Sequence, residues 1–69
     1  MKLSARNVLT GTVDSVAEGA VNAEVAVRLA GGEKLQAIIT ENSLKGLHLK
    51  ASDRVFAVIK ASSIILAVE

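Results

Sequence analysis

The chain has 69 residues, a formal net charge of +1, 51% hydrophobic residues and no Cys, Pro, Trp or Tyr; Phe56 is its single aromatic. That length limits it to one domain, residues 1–69, and the missing cysteines exclude a disulfide framework and a thiolate metal site. The near-neutral charge argues against an electrostatic nucleic-acid binder, which carries a strong basic excess, and no apolar run reaches membrane-spanning length.

Met1-Lys2 is followed at once by Ser4, Arg6 and Asn7, so no signal-peptide core forms and the chain reads as soluble and cytoplasmic. A domain this small buries only about 60% of its unfolded surface. Without disulfides, its surplus Val, Ile, Leu and Ala predict burial between subunits of an oligomer.

The elements follow in chain order. Val8 to Val16 reads as a strand with Gly11 inside it, and an interior glycine suggests a bulge or sharp bend. Glu18-Gly19 ends it. From Val21 to Leu29, apolar Val21, Ala23, Val25, Val27 and Leu29 alternate with Asn22, Glu24 and Arg28, with Ala26 as the exception. This is the period of a half-buried strand. Ala30-Gly-Gly-Glu33 reads as a hairpin turn, after which Leu35, Ala37 and Ile39 resume the alternation.

The period changes after Thr40. Leu44 and Leu47 are three apart, Thr40 suits an N-cap and Ser43 falls at N3, which predicts one short helix over 41–46 ending near Gly46. Lys50 to Asp53 is a turn. Arg54 to Lys60 is a strand apolar on both faces, as expected of a barrel wall pressed against another subunit, and the pattern places Phe56 in the core. Ser62-Ser63 is a short break, and Ile64 to Val68 is a fifth strand. The fold class is all-β: a five-stranded OB-like Greek-key barrel with one short helix between strands 3 and 4.

Catalysis finds no support. His48 is the only histidine and there is no cysteine, so no metal cluster forms and nothing fixes a nucleophilic triad. Neither enzyme activity, a cofactor nor a directly coordinated metal is expected. Single-strand binding by an OB barrel rests on aromatic stacking platforms, which this composition lacks. No nucleic-acid or membrane partner is expected.

Short polar clusters remain at the strand ends. Ser4 and Arg6 share one face if extended, as do Lys60 and Ser62. Thr40 to Ser43 brackets a helix start, whose first N–H groups lack partners. Two cations with several hydroxyl and backbone donors suit a small tetrahedral dianion, which accepts many hydrogen bonds and donates none. Each cluster alone also reads blandly: a solvated strand start, a capping arrangement, a snorkelling strand-end lysine. Spacing leaves both readings open.

Four blocks taken together carry a likeness: SARN at 4–7, GAVNAEV at 19–25, IITENSLKGL at 38–47 and VIKASS at 58–63. The chain resembles the molbindins, small cytoplasmic molybdate-binding proteins of the Mop type, over essentially its whole length. The resemblance implies a homohexamer, a trimer of dimers with an exchanged N-terminal strand. It implies molybdate or tungstate held at subunit interfaces by Ser4, Arg6, Thr40, Ser43, Lys60, Ala61 and Ser62. Arg6 and Lys60 neutralise the anion, while the hydroxyls and the Ala61 N–H donate. A second oxyanion site is expected around Gly19, Ala20, Val21 and Asn22.

The module also occurs appended to the DNA-binding domains of regulators and to transporter ATPases. Neither is visible here, so the expected role is oxyanion storage and homeostasis. Glu41, the only carboxylate in the three main-site blocks, is expected at N1 facing solvent, which disfavours a protonated phosphate mildly. Sulfate must be rejected by cavity size. The competing readings are a single-stranded nucleic-acid-binding barrel and a purely structural oligomerisation module.

Overall fold

The computed structural model describes residue 4 and residues 6–69. Four strands and one helix follow in order: β1 (Asn7–Glu18), β2 (Asn22–Leu29), β3 (Lys34–Thr40), α1 (Glu41–Leu47) and β4 (Arg54–Ile59), then a single 3₁₀ turn at Ala61–Ser63. The sheet is antiparallel throughout, with order β3-β2-β1-β4. β1 is long enough to pair with β2 along its second half and with β4 along its first half. No helix among the described residues is long and apolar enough to cross a membrane.

Alternation sets the inner face. Val13, Ala23, Val25 and Val27 are buried there, and Leu44 of α1 closes the core from one end. Val16, Leu29, Leu35, Ala37, Ile39, Leu49 and Val55 pack around them, half-buried. Ala26, the exception to the alternation, is also buried, next to the register slip described below.

The β2–β3 turn forms as the two glycines predict. Gly32 takes a left-handed φ of 94° and donates to the Leu29 carbonyl at 3.0 Å. Leu29 N–H reaches the Glu33 carbonyl at 2.8 Å.

The irregularity in β1 is not at Gly11, where the sequence suggested it. Gly11 pairs regularly with Leu29 and with Val55, and the register slips between Val13 and Ser15 instead. Gly11 is needed for close approach: a Cβ there would lie 2.5 Å from Val27 Cγ1 and 2.9 Å from the Arg28 carbonyl oxygen.

The helix also ends later than Gly46. It continues through Leu47, and His48 caps it with φ 54° and ψ 38°, its N–H directed to the Leu44 and Lys45 carbonyls. Leu49 N–H adds a bond to Leu44 O at 3.3 Å, so the last carbonyls are satisfied by a left-handed cap built on histidine.

Two further expectations fail. Among the described residues there are four strands, not five: residues 64–69 form no strand. Phe56 is not in the core. It is 61% exposed, because β4 turns Val55, Ala57 and Ile59 inward and Phe56 and Val58 outward. Among the described residues Phe56 and Val58 stay exposed on that outer face, so the two-sided apolar pattern of β4 is not explained by the core the described residues form.

Candidate functional site

The ladder between β1 and β4 begins at Asn7 opposite Ile59, reinforced by Asn7 Nδ2 donating to the Ile59 carbonyl at 3.2 Å. Antiparallel pairing therefore brings the residues just before Asn7 alongside those just after Ile59. Ser4 and Arg6 approach the first rung from one side, and Lys60, Ala61 and Ser62 leave it from the other. All of the described side chains in this group are exposed. Neither Arg6 nor Lys60 is in an ion pair among the described residues.

The turn after β4 adds backbone donors. Its own bonds are Ser63 N–H to Lys60 O at 2.9 Å and Ile64 N–H to Ala61 O at 3.2 Å. These use the N–H groups of Ser63 and Ile64, and leave those of Ala61 and Ser62, at the turn's start, outside it. Two cations, Ser hydroxyls and these N–H groups thus share one end of the β1–β4 pair.

Thr40 and Ser43 lie elsewhere. Thr40 ends β3, paired with Asn22 at the start of β2, and Ala23 in turn pairs with Glu18 at the far end of β1. Between Asn7 and Glu18 lies the full 12-residue length of β1. At about 3.3 Å per residue this is a contour of roughly 36 Å. One chain therefore assembles Ser4, Arg6, Lys60, Ala61 and Ser62 at one end, and Thr40 and Ser43 with Gly19 to Asn22 at the other.

The second group is already bonded internally. Thr40 Oγ1 accepts from Ser43 N–H and donates to Ser43 Oγ, both at 3.0 Å. Glu41 N–H donates to the Val21 carbonyl at 2.9 Å. Two of the helix-start donors counted in the sequence are thus in use, while the Ser43 hydroxyl retains its proton for another acceptor. Glu41 does not face solvent as expected. Its Oε1 accepts from Gly19 N–H at 3.1 Å, and the same N–H donates to Asn22 O at 2.9 Å. The carboxylate clasps the turn because the β2–β3 pairing brings Thr40 beside Asn22. A small cleft of about 280 Å³ lies here, lined by Ala20, Val21, Thr40, Glu41 and Asn42.

The structure also gathers residues that the sequence did not group. Thr12 pairs with Arg28 on one side and Arg54 on the other, under a shallow cleft of about 470 Å³ that Thr10 also lines. Asp14 engages both Arg28 and Lys34, the latter at 3.3 Å. Only strand register reveals this row, and no motif in the sequence signals it.

A curled antiparallel sheet plugged by one helix, with cations and hydroxyls at its strand ends, defines an OB-like binding module. The TOBE domain family matches residues 3–66. The chain is 41% identical to a probable molybdenum-pterin-binding protein of Haemophilus influenzae over 69 residues, the whole of both chains. It superposes on MopII from Clostridium pasteurianum (apo2) with a TM-score of 0.92 at 36% identity, covering 97% of this chain and 100% of that one. A molybdate binding protein from Sporomusa ovata matches with the same TM-score of 0.92 and 36% identity, covering 97% of this chain and 98% of that one. The chain belongs to the TOBE-domain family, as a molbindin of the Mop type.

Proposed function

We propose that this protein binds molybdate, with tungstate as the near-isosteric alternative, and serves as a store of the oxyanion. The observation that carries the reading is the near full-length match to the molybdate binding protein from Sporomusa ovata. The local chemistry supports it. Arg6 and Lys60 each lie one residue beyond the Asn7–Ile59 rung, without a carboxylate partner among the described residues, and Ser4, Ala61 and Ser62 lie within two residues of them in sequence. A fully deprotonated tetrahedral dianion needs such a set, because it only accepts, and each charge-assisted bond contributes about 1.5–3 kcal/mol.

Thr40 and Ser43 stand at the opposite end of β1, so they join this group only from a neighbouring copy. The site is then formed where subunits meet, in a homo-oligomer such as the expected hexamer. The turn at Gly19 to Asn22 is the candidate for a second site. Its Gly19 N–H is taken by Glu41, so an anion there draws on the remaining groups of the turn.

Calorimetric titration with molybdate, tungstate and sulfate in parallel tests this. Heat with molybdate and tungstate and a much weaker response to sulfate are expected. No heat, or equal responses to sulfate and molybdate, overturns it.

A further inference from the structure

Strand register lines up four residues in one rung across the sheet. Lys34 on β3 pairs with Arg28 on β2, Arg28 with Thr12 on β1, and Thr12 with Arg54 on β4. All four are exposed. Cross-strand neighbours of like charge repel. Asp14 offsets the Arg28–Lys34 pair by engaging both cations. Arg54 has no carboxylate partner among the described residues. The rung thus sets three cations against one carboxylate.

The excess positive charge borders a concavity. Arg28 and Arg54 stand one strand to either side of Thr12, roughly 10 Å apart at the backbone. Both line the cleft of about 470 Å³, with the Thr10 and Thr12 side chains between them. Thr12 lies near the middle of β1, well inside the Asn7–Glu18 strand. At about 3.3 Å per residue, it is roughly 17 Å from the Arg6 end and 20 Å from the turn at Gly19. The cleft is therefore separate from both groups assigned to molybdate.

We propose that this cleft binds the phosphate group of a small organic phosphomonoester. Two guanidinium forks suit its oxygens, since each can donate a pair of parallel hydrogen bonds. A phosphate monoester carries about −1.5 to −2 charges near neutral pH and so keeps a proton part of the time. The two threonine hydroxyls can accept that proton as well as donate, which the cations at the strand ends cannot do. Size points to an ester rather than a bare anion. Organic ligands occupy clefts of roughly 300–1,000 Å³, and Leu29 and Ala30 give this one an apolar margin. Asp14 is the built-in competitor: its carboxylate already holds Arg28, so it limits how strongly a second anion is held.

Calorimetric titration of the full-length protein with phenyl phosphate and with inorganic phosphate tests this. Phenyl phosphate is expected to bind more tightly than inorganic phosphate. Arg54→Gln is expected to weaken it about tenfold, the loss of one charge-assisted hydrogen bond. Asp14→Asn, which frees Arg28, is expected to tighten it severalfold. Arg6→Ala should leave it unchanged, and Arg54→Gln should leave molybdate binding unchanged. Amide chemical shifts locate the ligand independently of any substitution, and the largest changes are expected at Thr10, Thr12, Arg28 and Arg54. No binding of phenyl phosphate overturns the proposal. So do shifts centred on Lys60 to Ser62, a loss in Arg6→Ala in place of Arg54→Gln, or weaker binding in Asp14→Asn. Equal affinity for the two probes makes free phosphate the occupant and overturns the assignment to an ester. None of these readouts uses molybdate except the Arg54→Gln control, so their failure leaves the molybdate reading intact.

Discussion

Thr40 and Ser43 close on each other through two hydrogen bonds of 3.0 Å, one from the Ser43 N–H to Thr40 Oγ1 and one from the Thr40 hydroxyl to Ser43 Oγ. The pair is a helix cap first. It also aligns the remaining Ser43 hydroxyl proton, since Ser43 Oγ is already occupied as an acceptor and can donate outward. Thr40→Ala removes the cap and is expected to cost about 1 kcal/mol of stability. Thr40→Ser should recover most of it. Urea unfolding midpoints of the three proteins check this.

Arg6 and Lys60 flank the first rung of the β1–β4 ladder, outside the core. Arg6→Ala and Lys60→Ala are each expected to weaken molybdate binding roughly 10- to 100-fold, the loss of one charge-assisted hydrogen bond. Because both side chains are exposed, the unfolding midpoint without ligand should stay close to that of the unmodified protein. Calorimetry and denaturation on the same preparations separate the two effects.

Gly11 is held by proximity rather than by a left-handed backbone. Gly11→Ala puts a methyl group 2.5 Å from Val27 Cγ1 and 2.9 Å from the Arg28 carbonyl oxygen. The Val27 side chain can turn aside, but the Arg28 carbonyl belongs to the backbone of β2 and cannot move without straining its pairing with β1. A loss of about 1–3 kcal/mol is expected, the range for overpacking a core. Thermal unfolding of the variant measures it.

Asp14 holds Arg28 and Lys34 on the outer face of the sheet. Both cations are more than half exposed, so the network is screened by water and salt. Asp14→Asn is expected to lower stability by less than about 1 kcal/mol, and the difference should shrink as salt is raised. A midpoint series across ionic strength checks it.

Molybdate itself should stabilise the folded protein by mass action. At a free concentration about 100 times its Kd, the gain is about 2.7 kcal/mol. The thermal midpoint should rise with molybdate concentration, and sulfate at the same concentration should move it far less.

The local elements were legible because they are written in short-range chemistry. Period two in Val21 to Leu29, Gly-Gly before Glu33 and the Thr40–Ser43 cap each specify structure within a few residues. Gly46 and Gly11 were misread for a related reason. A glycine signals freedom, but only the fold shows whether it is used for a turn, for close packing or not at all. Phe56 and Val58 have the alternation of a buried pair, yet pattern cannot say which side of β4 meets the core. Glu41 was placed facing solvent because its partner, the Gly19 N–H, is 22 residues away in sequence.

The sequence by itself determined the all-β class, four of the five strands it predicted, one capped helix and the residue types suited to a tetrahedral dianion. These follow from side-chain period, caps and turn chemistry, all local. The tertiary structure alone decided that Arg6 and Lys60 flank the same end of the β1–β4 ladder while Thr40 pairs toward the opposite end of β1. It also left Ile64 to Val68 outside the sheet. Strand register and edge pairing are relations between distant residues, and no local pattern encodes them.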